Sequence, residues 1–337
     1  MKRLPAAVAV AYLAASTLSA QSAHFFQART ERYMVWAEAG QDRADRLAKT
    51  LEGLFTIFEE HMRFNPARLP SRLNVRAFRD RAGFDAHLTR VIGETRQDFV
   101  YLHYTAPGRS ELVVFDRGEP EFSASLAHQA FVQYLKAFIS NPPLWIQEGF
   151  AVYFERSAWD AAAGSVSFRE NTAWLETLKA LRNSGKLLSV EAILTAGPER
   201  AAASWDVFYP QSWALVSFLL DGRKPRYARF LWDSLSILEP EASLEDNQRA
   251  VAELFRRWHD SSTVQEDFLI WLDSRRTFAE LVEDGVRFYA EKRMDLAEAA
   301  FLEALARNEG SCVPHYYLGL IFYGRNDFDL ADHYYRL

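Results

Sequence analysis

Two side chains of this sequence have the chemistry of metal ligands and lie on neighbouring predicted helices. His128 belongs to an apolar helical pattern over residues 122–139, and Glu148 follows twenty positions later, shortly after Pro142-Pro143. An imidazole nitrogen and a carboxylate oxygen are both common ligands of Zn²⁺. The pair therefore points first to zinc chemistry, which in proteins includes the activation of water for hydrolysis.

The helix of His128 has the residue spacing of a hydrolytic zinc motif but lacks two of the residues that the motif requires. In the motif His-Glu-x-x-His, both histidines lie on one helix face and ligate the metal, while the glutamate takes a proton from the bound water. Here His128 occupies the first ligand position, Gln129 replaces the glutamate and Val132 replaces the second histidine. Gln129 does not ionise near neutral pH, and Val132 has no lone pair. The sequence therefore predicts a degenerate site in which His128 and Glu148 remain as vestigial metal ligands.

Two further segments extend this pattern. They read Trp145-Ile146-Gln147-Glu148-Gly149-Phe150-Ala151-Val152-Tyr153-Phe154-Glu155 and Phe208-Tyr209-Pro210-Gln211-Ser212-Trp213-Ala214-Leu215-Val216. With the helix of His128 they resemble the peptidase MA-like branch of the gluzincin metallopeptidases, over residues 25–275. The resemblance implies a zincin-like fold with an edge strand beside the substrate cleft. It also implies that Glu148 matches the third zinc ligand and that Tyr209 is a candidate for stabilising an oxyanion.

Each of these residues also has a purely structural interpretation. His128 shares a helical stripe with Phe131, Val132 and Leu135, which fits a half-buried histidine held by one hydrogen bond. Glu148 follows two prolines, where a helix is expected to start, so its carboxylate could complement the helix dipole. Both interpretations stay open at the level of sequence.

A zinc ion would need more ligands than His128 and Glu148 supply. By sequence, the nearest further donors are His103 and Glu111. Tyr209 and Glu155 are expected either to line a polar cleft or to be ordinary polar groups. We therefore expect no cofactor, with zinc as the alternative.

The composition describes a globular chain with no nucleic-acid footprint. Of the 337 residues, 49% are apolar and 14% aromatic, so the chain can bury a large core and is long enough for two domains. Its 39 basic and 45 acidic residues give a net charge of −6 and are mixed along the sequence. Because no basic run or stripe stands out, we expect no nucleic-acid partner.

Residues 1–20 have the pattern of a secretory signal peptide. Met1-Lys2-Arg3 precedes an apolar run that ends at Leu18 and is followed by Ser19-Ala20-Gln21. Because the run is too short to span a bilayer, we expect cleavage near Ala20 and export to the bacterial periplasm or the extracellular space. The alternative is an N-terminal helix buried in the fold. The only cysteine is Cys312, so the exported protein would have no internal disulfide. We also expect no integral membrane segment.

The hydrophobic periodicity predicts an α+β domain over residues 21–276. Strands are expected at residues 31–38, 73–78, 99–104 and 111–115, the last two forming a hairpin around a Pro-Gly turn. Helices are expected at residues 42–62 and 81–91, and the chain becomes almost wholly helical from Glu121. The later helices are predicted over residues 122–139, 144–156, 170–182, 190–194, 209–220, 226–235, 244–258 and 264–274. The domain is thus a small sheet followed by a helical lobe.

Residues 277–337 contain an internal repeat. Like residues recur after 34 positions, the period of tetratricopeptide repeats: Gly285 and Gly319, Phe288 and Phe322, Ala297 and Ala331, and Phe301 and Tyr335. We predict an all-α segment of roughly two repeats, the second incomplete, which binds a protein or peptide partner. The alternative is two unrelated amphipathic helix pairs.

Three functions compete on this evidence. The favoured one is an exported pseudo-peptidase that keeps a degenerate zinc-peptidase scaffold as a binding cleft and uses its tetratricopeptide segment for protein interaction. The first alternative is a divergent but active zinc metallopeptidase, and the second is a structural or assembly scaffold. Gln129 and Val132 favour the inactive protein, because loss of a general base lowers a rate by ~10²–10⁴-fold.

Overall fold

The structure is a computed structural model that describes residues 24–160, 162–221, 224–258 and 260–337. The predicted signal peptide, residues 1–20, lies outside the described residues. Within the described part of the chain, the helices lack the combination of length and apolarity that crossing a bilayer requires.

The first part of the described residues forms a five-stranded mixed sheet. Its elements are β1 (Phe26–Arg29), β2 (Tyr33–Ala37), α1 (Gln41–Met62), β3 (Leu73–Phe78), α2 (Arg81–Ile92), β4 (Val100–Leu102) and β5 (Glu111–Phe115). The spatial order is β1-β2-β3-β5-β4, with β2, β3 and β5 parallel and both outer strands antiparallel to their neighbours. Single turns of 3₁₀ helix lie at Pro66–Arg68 and Pro107–Arg109. The predicted strands are confirmed in position, although β1 was missed and β4 is shorter than predicted.

One face of the sheet packs against the long helix α1. Tyr33, Val35 and Ala37 alternate along β2 and are fully buried, as the period of two in a strand requires. The ring of Tyr33 meets Phe55 of α1 edge-on, with centroids 6.2 Å apart. This packing holds the strand order in place and leaves β4 at one edge.

A helical segment follows the sheet. It contains α3 (Glu121–Phe138), α4 (Leu144–Phe154), the hairpin β6 (Ala158–Asp160) and β7 (Ser165–Ser167), α5 (Leu175–Asn183), α6 (Val190–Leu194), α7 (Pro198–Ala203), α8 (Trp205–Leu220), α9 (Pro225–Ser236), α10 (Leu244–Trp258) and α11 (Ser261–Ser274). The prediction of a small sheet followed by a helical lobe is therefore confirmed at this level. The hairpin of β6 and β7 and the short helix α7 were not predicted.

Three predicted helix starts were wrong; one of them is that of α11, which begins at Ser261, three residues before the predicted start. Helix α5 begins at Leu175 instead of residue 170, because Asn171 accepts a hydrogen bond from the amide of Ala173 (3.1 Å) and forms a turn instead. Helix α8 begins at Trp205, four residues before the predicted start, so that Pro210 lies inside it. Buried packing along α8 outweighs the backbone hydrogen bond that Pro210 cannot donate.

The last four helices form two successive pairs. They are α12 (Phe278–Ala290), α13 (Met294–Arg307), α14 (Cys312–Gly324) and α15 (Phe328–Arg336). Gly285 of α12 lies against the ring of Phe301, and Gly319 of α14 lies against the ring of Tyr335, so a Cβ at either glycine would collide with the ring. The 34-residue spacing seen in the sequence thus corresponds to the same contact made twice.

The helix pairs have their own hydrophobic cluster but are tied to the preceding segment by polar contacts. The cluster comprises Ala297, Phe301, Leu305, Leu318 and Ile321, whereas the main core runs from Ala28 to Leu272. Lys179 of α5 pairs with Glu280 of α12 at 2.6 Å, and Arg169 pairs with Glu309 at 2.6 Å. The side chain of Glu280 also caps α12 together with Thr277.

Candidate functional site

Three helices bring the chemically distinctive residues of the sequence into one cleft. Helix α3 carries His128, α4 carries Glu148 and ends next to Glu155, and α8 carries Tyr209. All four side chains line the same open cleft, which has a volume of about 830 Å³. Residues separated by up to 81 positions in the chain therefore form one polar cluster.

The close packing of α4 and α8 depends on a glycine. A Cβ on Gly149 would lie 2.5 Å from the carbonyl oxygen of Ser212 and 2.7 Å from Val216 Cγ2, both on α8. Only glycine permits backbones to approach this closely. Because Gly149 directly follows Glu148, this contact fixes the position of the carboxylate relative to Tyr209.

His128 lies between two carboxylates. Its Nδ1 is 2.8 Å from Glu155 Oε1, and its Nε2 is 3.6 Å from Glu148 Oε2. Burial by itself would lower the pKa of His128, but the two neighbouring carboxylates, Glu148 and the hydrogen-bonded Glu155, outweigh it and raise the pKa to about 9. The ring is therefore an imidazolium at neutral pH. It faces two carboxylates, whereas the structural interpretation expected only one hydrogen bond.

Glu155 is the shared acceptor of the cluster. The hydroxyl of Tyr209 donates to Glu155 Oε1 at 2.7 Å, and the amide of Asn171 donates to Glu155 Oε2 at 2.6 Å. The hydroxyl of Tyr209 also lies 3.1 Å from His128 Nδ1. Burial, reinforced by the neighbouring Glu155, raises the pKa of Tyr209 well above its usual range, so the phenol stays protonated. Asn171 was not anticipated, because no motif marks it and only the fold brings it to Glu155.

The cleft is bordered by the edge strand β4. Val100 and Tyr101 line it opposite His128, in agreement with the predicted hairpin beside the cleft. At one end, Arg117 pairs with Asp98 at 2.7 Å. Lys136 also lines the cleft, and burial lowers its pKa. The edge of β4 leaves backbone groups available for pairing with an extended chain.

Aromatic rings form one wall of the cleft. The ring centroid of Trp205 lies 4.7 Å from that of Tyr209, and Trp174 meets the same tyrosine edge-on at 5.6 Å. Trp205 is 47% exposed, a large fraction for a tryptophan. Neither tryptophan was predicted as a site residue, although both belong to the chain segments around α5 and α8.

The donors in the cleft do not fit a zinc centre. His128 Nε2 and Glu148 Oε2 face each other, but the ligand position one turn after His128 is Val132, which has no donor atom. A catalytic zinc ion takes three protein ligands and a structural one four. In the part of the chain that the structure describes, there is no group of three or more His, Cys, Asp or Glu side chains that could hold a metal ion. Gln129 lines the cleft as an amide.

The two further metal ligands suggested by the sequence, His103 and Glu111, do not line the cleft of His128. Glu111 pairs with Arg76 at 2.9 Å and with His87 at 2.8 Å. His103 contacts the hydroxyl of Tyr101 and lines a neighbouring cavity of about 350 Å³. Glu148 lies in the second turn of α4, which begins at Leu144, whereas the helix dipole acts mainly on charges in the first turn, so its carboxylate is poorly placed to complement the dipole.

Comparison with known proteins adds no relative: no protein-family model matches the chain, and no curated protein matches it.

Proposed function

We propose that this protein is an exported pseudo-peptidase, in which a degenerate gluzincin-like scaffold serves as a binding cleft for an extended peptide. One observation carries the proposal: the ring of His128 is held between Glu148 and Glu155, while Gln129 and Val132 stand where a general base and a second metal ligand would be needed. The inherited residues thus form an ion-paired cluster in an open cleft.

The shape of the cleft favours a peptide as its ligand. Strand β4 is an edge strand, and its residues Val100 and Tyr101 face the cleft. An extended peptide can add to such an edge through backbone hydrogen bonds, while pockets along the cleft hold alternate side chains. A volume of about 830 Å³ accommodates several residues of an extended chain.

The second part of the proposal concerns residues 277–337, which we interpret as tetratricopeptide repeats that hold a protein or peptide partner. The equivalent contacts of Gly285 with Phe301 and of Gly319 with Tyr335 support this assignment. Small residues let paired helices approach, and the aromatic ring fills the groove between them. Deletion of residues 277–337 should abolish partner capture and leave the cleft able to bind peptide.

The cleft is tested with fluorescein-labelled octapeptides of randomised sequence, whose anisotropy is measured against the purified protein with and without a chelator. We expect binding that the chelator does not change, with the peptides recovered intact by mass spectrometry. Gln129→Trp, which narrows the cleft, should weaken binding about tenfold or more. Gln41→Trp introduces the same ring at an exposed position on α1 and should have no effect.

The competing function is a divergent zinc metallopeptidase, favoured by the facing donors His128 Nε2 and Glu148 Oε2. Under that function the protein would contain stoichiometric zinc and cleave the peptides. Cleavage that a chelator inhibits and that His128→Ala abolishes would replace our proposal. If no peptide binds, intact or cleaved, the scaffold role becomes the better description.

A further inference from the structure

The central cluster carries more negative than positive charge. One imidazole, His128, lies between the carboxylates of Glu148 and Glu155. Whether or not the ring carries its proton, the three groups together keep at least one negative charge. A cluster of this kind attracts a cation from a ligand and repels an anion.

Glu148 is the carboxylate with room for a ligand. Glu155 accepts hydrogen bonds from Tyr209 and Asn171 and contacts His128. Glu148 Oε1 accepts from Gln147 at 2.8 Å, but its Oε2 is 3.6 Å from His128 Nε2, which is longer than a hydrogen bond. Glu148 Oε2 can therefore accept a hydrogen bond from a donor that enters the cleft.

The remaining charges of the cleft do not reverse this balance. Asp98 is neutralised by Arg117 at 2.7 Å. The ammonium of Lys136 donates to the carbonyl of Ser140 at 3.3 Å, and Glu121 adds a further carboxylate. In all, four carboxylates face two basic side chains and one imidazole across the described lining.

An aromatic surface lines the same cleft as Glu148. Trp205 lines the same cleft as Glu148, is 47% exposed, and is braced from behind by Tyr209. The face of an indole ring is the best aromatic surface for an ammonium or guanidinium group. An exposed indole ring and a carboxylate that line one cleft are therefore an arrangement that can recognise a cationic side chain.

We propose that the cleft selects peptides that carry a cationic group, which donates a hydrogen bond to Glu148 and packs on the face of Trp205. This inference rests on the proposed peptide-binding function and names its ligand class. The cation is either the side chain of Lys or Arg or a free N-terminal ammonium, and the experiment separates these sources.

The test is calorimetric titration of the full chain with blocked pentapeptides that differ only at the central residue: Lys, Arg, norleucine or Glu between alanines. We expect the Lys and Arg peptides to bind about tenfold more tightly than the norleucine peptide, and the Glu peptide to bind most weakly. A norleucine peptide with a free N-terminus tests the other source of the cation. If its affinity exceeds that of the blocked norleucine peptide by as much as the affinity of the Lys peptide does, the N-terminal ammonium is the recognised group.

Two variants test whether Glu148 and Trp205 bind the cationic group of the peptide. Glu148→Gln keeps the shape and removes the charge, and Trp205→Ala removes the ring; each should reduce the tenfold preference for Lys over norleucine by about threefold. Trp258→Ala removes another exposed tryptophan, 49% exposed on α10, and should leave the preference unchanged. Circular dichroism confirms that each variant is folded.

The outcomes distinguish the two levels of the proposal. Equal binding of the Lys, norleucine and Glu peptides would overturn the cation preference and leave the peptide cleft standing. A preference for Lys that survives both Glu148→Gln and Trp205→Ala would overturn the assigned site. Absence of binding by every peptide would overturn the peptide-binding function and this inference with it.

Discussion

At the scale of single residues, His128 is a buried imidazole that faces a carboxylate at each of its two nitrogens. Its two nitrogens face Glu155 and Glu148, and the first of these carboxylates is held in turn by Tyr209 and Asn171. A buried charge is tolerated only when it is paired and hydrogen-bonded. The cluster meets this requirement with its own side chains.

If the cluster descends from a zinc site, two substitutions should restore metal binding. The double variant Gln129→Glu and Val132→His would add the base and the missing ligand on the face of α3 that already presents His128. We expect zinc at about one equivalent per chain, measured by elemental analysis after dialysis.

The matched control for this experiment is Gln129→Glu alone. It supplies the base position but not the second histidine, so it should take up far less zinc than the double variant. A folded double variant without zinc affinity would show that α3 and α4 no longer hold the geometry of a metal site.

The raised pKa of His128 predicts how the free energy of unfolding changes with pH. The folded pKa is about 9 and the ordinary value is 6.5, so the folded state binds this proton more tightly than the unfolded state. The stabilisation is complete below pH 6.5 and is lost as the pH rises through about 9. Urea unfolding across this range should show that loss in the wild type and a flatter profile in His128→Gln. An imidazole that titrates near 6.5 by NMR in the metal-free protein would contradict the ion-paired state.

At the scale of elements, the site depends on how closely α4 approaches α8. Gly149 lies on the buried face of α4, and the backbone of Ser212 passes where a Cβ would be. The two helices therefore cannot slide apart without separating Glu148 from the aromatic wall that Tyr209 anchors. Helix packing here determines the position of the cleft residues.

Gly149→Ala should disturb both stability and the site. The added methyl group forces the helices apart, and such overpacking costs about 1–3 kcal/mol in the free energy of unfolding. Denaturant unfolding measures the loss, and peptide binding should weaken in the folded fraction. Gly324→Ala is the control, because a Cβ there meets no atom within 4 Å. Equal stability of the two variants would contradict the proposed close packing.

At the scale of the whole molecule, two hydrophobic clusters are joined through polar contacts. Lys179 reaches Glu280 from the main segment, and Arg156 donates to the carbonyl of Arg307 at 3.3 Å. The main segment and the final helix pairs are therefore connected largely by charged groups that line their boundary. Such contacts weaken with rising ionic strength.

Lys179→Met should loosen this connection. The Lys179 side chain is 18% exposed and its ammonium pairs with Glu280, so removing the charge should cost about 1 kcal/mol in docking. Limited proteolysis near residues 275–277 should become faster, and the difference should shrink at high salt. Lys186→Met removes the same charge from an exposed position after α5 and should not change the rate. Identical cleavage of both variants would show that the pair does not hold the segments together.

Local signals in the sequence predicted most of the elements correctly. Helices α1, α6 and α10 and strands β3 and β5 agree with their predictions within one residue, because a strong apolar period marks each of them. The start of α5 was wrong because the local turn of Asn171 with Ala173 was overlooked. The start of α8 was wrong because Pro210 is carried by buried packing, which no local pattern records.

The sequence by itself determined which chemistry is available: one imidazole, two carboxylates on the following helix segment, and an amide and a valine one and four positions after the histidine. Only the tertiary structure decided that His128 pairs with Glu148 and Glu155, that Asn171 and Trp205 join the cleft, and that Glu111 does not. The physical reason is that side-chain identity is local, whereas distances, burial and charge balance arise when α3, α4 and α8 pack together.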